Sequence, residues 1–547
     1  MISKKLPVLI ISILLLIPEL IIAQQNKYIQ RQKPKVVIGL MIENMRPDYI
    51  QRYWDKFSPN GFKKLYNNGT VCTNINLTQH IQSYAGGTAT LFTGVHPSMH
   101  GIVDKNWYDR LKQKEIECTR DDYYFTVGAD TDQGNASPKK LLSNTITDNL
   151  KIFSRGEALV FSAAMNRESA IFSAGHVADG AYWYDTESGK IISSSFYLST
   201  FPDWVREFNT ENYGEMYSYR NWVTFMPPKE YTESVEDNYI LEKGYFDRWN
   251  TFPHTVGRYS RKAENLSPVK TTPYANQIMK DFAIRLMENE PIGQDEITDF
   301  FTITFSSMDY ENGNFGPASV EMQDTYLYMD QYIGEVIEHA ENKYGKDNVL
   351  FFLTANTSAS YPVEYLQEEF NMPVDHFSPE SAIALLTSYL NITYGQENWI
   401  EYYSDSQVYL NHELIKKNKI DLDEIRDEAS NFINQFEGVQ VSLPAFQLEQ
   451  GSSPNGLLSL IYKSYAKNRS GDFLFLLKEG WQPSYKFKKV NYTDQSHIPL
   501  VFYGGGISPK IISKKQNAVD FAPTICHLIG IPMPDKTQGE VISDMID

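Results

Sequence analysis

An α/β fold with a central, mainly parallel sheet flanked by helices is what this sequence predicts, on three observations. Short apolar runs bounded by polar residues recur along the chain, the pattern of strands buried on both faces. Helical stretches alternate with these runs, as they do where crossover helices join parallel strands. The 547 residues, 42% hydrophobic and 22% charged, suffice for a large core and are too apolar for a disordered chain.

The opening strand is Val36–Ile42, and Ala158–Ala163, Ser169–Ala174, Phe300–Phe305, Val349–Leu353 and Ile498–Tyr503 read the same way. Val36–Ile42 and Val349–Leu353 are expected in the sheet interior. The clearest helix covers Pro317–Tyr344, with Val320, Met322, Tyr326, Met329, Ile333, Val336 and Ile337 on one face. Two stretches fit the alternation less well. Residues 184–275, rich in Tyr, Trp, Ser and Pro, read as a cap-like insertion. Residues 376–490 mix short strands with a helix over Asp421–Phe436 and read as a smaller α+β lobe. Both belong to one domain over 36–547.

Residues 1–23 read as a signal peptide. Lys4 and Lys5 precede an apolar run from Leu6 to Ile17, which Pro18 and Glu19 interrupt, and Ala23 suits the cut. The run is short of the roughly 20 residues a membrane span needs. Residues 24–35 form a polar lead-in. Export to the periplasm, the cell surface or the medium is therefore expected, with no later segment apolar enough for a span. A net charge of −18 argues against nucleic-acid binding, which needs a basic face. The three cysteines are too few for a zinc ribbon, but an oxidising compartment would permit one disulfide. Cys72 could pair with Cys118, leaving Cys526 as a buried apolar residue.

An ordered set of short motifs runs through the chain. Glu43-Asn44-Met45-Arg46-Pro47-Asp48-Tyr49 follows the opening strand, then Gly61-Phe62-Lys63-Lys64-Leu65 and Ala89-Thr90-Leu91-Phe92-Thr93-Gly94. His100-Gly101-Ile102, Asn106-Trp107-Tyr108-Asp109, Ala174-Gly175-His176 and Ala181-Tyr182-Trp183-Tyr184-Asp185 come next. Ser306-Ser307-Met308-Asp309-Tyr310, Phe315-Gly316-Pro317, His497-Ile498-Pro499-Leu500, Asp520-Phe521-Ala522-Pro523-Thr524 and Gly530-Ile531-Pro532 complete the set. No single motif is decisive, but their order is specific. The chain resembles the alkaline phosphatase superfamily, above all its type I phosphodiesterase/nucleotide pyrophosphatase branch and the related single-chain bacterial phosphatases.

That resemblance implies a phosphate-ester site with two zinc ions about 4 Å apart, one activating a Thr or Ser nucleophile and the other neutralising the leaving oxygen. Each ion wants about four N or O ligands, supplied in the family from the ends of sheet strands. The Asp expected after the opening strand is Glu43, whose extra methylene moves the oxygens by roughly one C–C bond, more than 1 Å. The nucleophile position is Tyr84, with Ser83 beside it. Of an Asp-x-x-x-His ligand pair, Asp309 is present and the His is Gly313. An Asp-His pair is replaced by Asn356-Thr357, both uncharged and weak for zinc. The last ligand His is missing between Lys486 and Ser496. A phosphate-contacting Asn becomes Lys105, and a Lys-x-Arg pair becomes Asn166-Arg167-Glu168, in which Arg167 could still serve.

The loss of these positions together, amid retained scaffold motifs, points to a site released from catalysis. The reading is an exported pseudoenzyme that binds or assembles something in the cell envelope: a protein complex, a glycan or a phosphorylated ligand. No cofactor is expected. The alternative is an active hydrolase with a rebuilt site, using Ser83 or Thr88 as nucleophile, zinc on Glu43 and Asp309, and Arg167 or Lys105 on the phosphate. Lys105 is either a charge that replaces metal beside Glu43 and Asp309 or a solvated lysine. His96, His100 and His176 read as structural, and Tyr503-Gly504-Gly505-Gly506 as a turn.

Overall fold

The computed structural model describes residues 33–81, 83–307, 315–404, 406–450, 455–484 and 496–545. Eleven strands form the main sheet. At its centre lies Val36–Glu43, every residue of which is buried. It pairs in parallel with Asp299–Ser306 on one side and Val349–Thr354 on the other. Val160–Ala164 and Gly180–Tyr184 extend the parallel run beyond Asp299–Ser306. The apolar runs of the sequence thus become strands covered on both faces. Their C-terminal ends lie together, because Glu43 stands opposite Ser306 and Met41 opposite Thr354.

Helices cover the sheet. Val320–Tyr344 starts at Ser319, whose side chain accepts from the Met322 N–H, and buries Met322, Tyr326, Met329, Ile333, Val336 and Ile337. Tyr84–Thr93 starts at Ser83 in the same manner and stops at Gly94, whose φ of 68° is the left-handed turn that ends many helices.

Three expectations are corrected. Ser169–Ala174 is not a strand but part of the helix Arg167–Ala174. Glu168 through Ala174 are all buried there, and a short helix buried all round carries no periodicity to separate it from a strand. Ile498–Tyr503 does lie in a strand, His497–Gly504, but it runs antiparallel to both neighbours. Cys72, Cys118 and Cys526 are all buried free thiols. Cys72 and Cys118 pack into separate hydrophobic clusters and are not partners.

A second sheet has four antiparallel strands in the order Ile400–Tyr403, Gln407–Leu410, Phe473–Leu477 and Val439–Pro444. The helices Pro379–Tyr394 and Leu422–Ile433 share its core. Between residues 184 and 275, the strand Ile191–Ser194 joins the main sheet, and Asn221–Trp222 pairs antiparallel with His254–Thr255. Among the described residues, no helix is long and apolar enough to cross a membrane.

Candidate functional site

The site is built where three strand ends meet two helix N-termini. Glu43 ends the central strand and is wholly buried. Asn166, which precedes the helix Arg167–Ala174, donates from Nδ2 to Glu43 Oε2 at 2.6 Å, and Ser169 Oγ donates to Oε1 at 2.5 Å. Asn356 follows Val349–Thr354. Its Nδ2 donates to Ser169 Oγ at 3.2 Å and to Thr88 Oγ1 at 3.1 Å. Glu43 and Asn356 therefore converge on Ser169, at the sheet edge where the sequence places both. Asp309 and Gly313, expected at the same edge, lie outside the described residues.

A second chain of hydrogen bonds runs alongside. Thr357 Oγ1 donates to Asn44 Oδ1 at 2.7 Å, and Asn44 Nδ2 donates to the Tyr84 hydroxyl at 2.9 Å. Asn44 sits at a φ of 57°, a region Asn enters more readily than most residues. The helix Tyr84–Thr93 comes close because Gly87 has no side chain: a Cβ there would lie 1.7 Å from the Asn356 carbonyl oxygen. Ser83 Oγ accepts from the Gly86 N–H at 3.2 Å and is occupied as a helix cap. Thr88 is fully buried.

Lys270 was not anticipated. It comes from the short helix Ser267–Lys270, and its Nζ donates to Asn166 Oδ1 at 2.7 Å. Its charge thus reaches the Glu43 network through one carboxamide. Glu168, 4% exposed, shares this cationic surrounding. Burial pushes its carboxyl up, but Lys105, Arg167 and Lys270 together hold it below the usual glutamate range. Lys105 therefore acts on Glu168, a residue not considered as its partner. Arg167 is held by protein partners: its guanidinium pairs with Glu117, and Nε donates to Thr119 Oγ1 at 2.9 Å.

The nearby histidines are structural. His176 Nδ1 meets Asp148 at 2.7 Å while Nε2 meets the Leu141 carbonyl at 3.2 Å. His100 Nε2 lies 3.1 Å from Thr90 Oγ1. Among the described residues, no group of three or more His, Cys, Asp or Glu could hold a metal ion. Both Glu43 oxygens accept from protein donors, and Asn356 turns its NH2 group toward the same point. The described residues do not fit a pair of zinc ions, which need oxygen and imidazole lone pairs facing the metal.

This arrangement sits on a fold with known relatives. The family model for type I phosphodiesterase/nucleotide pyrophosphatase matches residues 37–499. Alkaline phosphatase PafA of Elizabethkingia meningoseptica is 32% identical over 530 residues, 96% of each chain. Alkaline phosphatase PhoV of Synechococcus elongatus is 31% identical, covering 94% of this chain and 93% of its own. The crystal structure of wild-type PafA superposes with a TM-score of 0.89, covering 94% of this chain and 99% of that one. The chain belongs to the type I phosphodiesterase/nucleotide pyrophosphatase family, within the alkaline phosphatase superfamily.

Proposed function

We propose that this protein is exported and has given up the two-metal hydrolysis of its superfamily, acting instead as a binding or assembly scaffold in the cell envelope. One observation carries the reading. The described side chains at the superfamily's metal positions have protein partners: Glu43 with Asn166 and Ser169, Asn356 with Ser169 and Thr88, and Thr357 with Asn44. A buried polar network completed in this way is stable without an ion, because its members are not left unpaired. Lys105 and Lys270, which both act on Glu168, are the cations of this region that a phosphorylated or acidic ligand would meet.

A second reading, a phosphate-ester hydrolase with a rebuilt site, draws on the full-length similarity to proteins named as alkaline phosphatases. Its candidate nucleophiles argue against it. Ser83 caps a helix, and Thr88 is buried and accepts from Asn356, with no base in the described contacts of its hydroxyl.

The experiment is incubation of the purified protein with zinc and a panel of phosphate mono- and diesters, with elemental analysis of bound metal. No turnover, substoichiometric zinc and a melting temperature unchanged by EDTA are expected. Turnover abolished by EDTA, with zinc lost in Glu43→Ala, would establish the hydrolase. Capture of partners from the native envelope then separates a protein complex from a glycan.

A further inference from the structure

Beyond the C-terminal end of the helix Tyr84–Thr93, away from Ser83 and Tyr84 at its start, lies a cavity of about 320 Å³. It falls at the lower end of the roughly 300–1,000 Å³ typical of small-molecule sites. Its lining comes from chain segments far apart in sequence: His96 and Ser98, Tyr462 and Lys463, Asn517 and Val519, and Gln538. Tyr462 and Val519 supply apolar wall, and the rest supply donors.

The charges in this cavity are unbalanced. Among the described residues Lys463 has neither an ion-pair partner nor a hydrogen-bond partner. Burial and the neighbouring Lys515 hold its ammonium below the usual lysine range, while Asp520 acts the other way. Asp520 keeps its negative charge while accepting from the Asn517 N–H at 2.8 Å and the Glu540 N–H at 2.9 Å, and it acts on Lys463 without forming a direct ion pair with it. His96 is 5% exposed, and its Nδ1 is buried without a hydrogen-bond partner. Burial and Lys463 push its imidazole down to about 3, so the ring is neutral at physiological pH. Gln538 is fixed by accepting from the His96 N–H at 2.8 Å, which leaves its NH2 group as a donor.

A half-buried ammonium without a direct ion-pair or hydrogen-bond partner, beside a second lysine and several neutral donors, suits the charged group of a small anion. We propose that this cavity is a binding site for a small organic dianion, its charged group on Lys463 and its carbon body against Tyr462 and Val519. A phosphate monoester and a dicarboxylate share that chemistry. The site is independent of the Glu43 network and of whether the protein hydrolyses anything.

Isothermal titration of the full-length exported protein with glycerol 3-phosphate, succinate and inorganic phosphate tests this. Saturable binding of glycerol 3-phosphate or succinate is expected, and whichever binds tighter names the source. Lys463→Met should weaken it at least tenfold and Lys463→Arg should restore most of it. Asn356→Ala, in the other site, should change it less than twofold. Lys463→Met should not lower the ligand-free melting temperature, since it removes an unpaired charge; Gln538→Ala is a second variant on a separate segment and should weaken binding severalfold. No binding by any probe, binding indifferent to Lys463→Met, or inorganic phosphate bound as tightly as the organic anions would overturn the assignment.

Discussion

Asp472 and Glu43 are both hidden completely from water, yet their surroundings differ in kind. Asp472 is a charge hub. Arg110 Nη2 donates to its Oδ2 at 2.6 Å, and Arg426 and His412 reach its Oδ1 at 2.8 and 2.7 Å. Burial pushes its carboxyl up, but His412, Arg110 and Arg426 outweigh burial and bring it down to about 2. Glu43 receives a carboxamide and a hydroxyl, each tied onward, Asn166 to Lys270 and Ser169 to Asn356. One carboxylate holds Arg110, in the turn between the paired strands Asn106–Asp109 and Lys114–Glu117, to the smaller sheet by direct opposite charges. The other stands where relatives are expected to carry a metal ligand and is enclosed by a relay of polar side chains. The contrast is informative because a buried carboxylate shows what it is for by what surrounds it.

The sharpest break of this comparison is Asp472→Asn. It leaves Arg110 and Arg426 facing a neutral amide, and removal of one partner from a buried charge cluster costs about 3–5 kcal/mol. Chemical denaturation of wild type and variant measures it. Because the folded carboxyl lies below its unfolded value, the stabilisation is present above about pH 4 and fades as pH falls toward 2. The variant should therefore lose this acid dependence as well as stability.

Glu43→Gln is the matching change on the other side. Among the described contacts, the new NH2 group faces either the Asn166 NH2 or the Ser169 hydroxyl, which already accepts from Asn356. One donor is left without an acceptor, at a cost of about 1–3 kcal/mol. The loss should be the same with and without EDTA. A wild-type protein destabilised by EDTA to the level of the variant would mean that Glu43 holds a metal.

Much of this comparison was legible in the sequence, for definable reasons. Val36–Glu43 and Val349–Thr354 announce themselves because strands buried on both faces are unbroken apolar runs. Glu43, Asn356 and Thr357 could be placed because they directly follow such runs. Ser169 and Lys270 could not. Ser169 lies in a helix buried on all sides, so its pattern imitates a strand. Lys270 is one lysine in a four-residue helix, with no spacing to mark it. The pairing of Arg167 with Glu117 could not be read either, because Glu117 lies 50 residues earlier on a short strand that carries no motif. Asp472 gave no signal because its cations come from three separate segments.

A third carboxyl environment extends the comparison to acids with neither cations nor enough donors. Glu242 and Glu321 lie within electrostatic reach of each other, and Glu321 contacts His254 in the strand His254–Thr255. Both Glu242 oxygens and Glu321 Oε2 are buried without hydrogen-bond partners among the described residues. Glu321 Oε1 lies 2.7 Å from His254 Nε2, but burial pushes that imidazole down to about 3, so it is neutral and balances no charge. Burial, then Glu242, holds Glu321 well above the carboxylate range. Burial, then Asp237, pushes Glu242 up to about 8. Both acids are therefore protonated in the folded protein at neutral pH. Glu242 ionises near 4.5 when unfolded, so its contribution is complete below that pH and is lost as pH rises toward 8. Wild-type melting temperature should decline over this window by about 1–3 °C more than that of Glu242→Gln, which cannot ionise. The decline is kept small because Glu242 is only partly buried. Calorimetric scans at half-unit pH steps would read the difference. Equal slopes for the two proteins would mean that Glu242 is ionised in the fold and has a counter-charge, as Asp472 does.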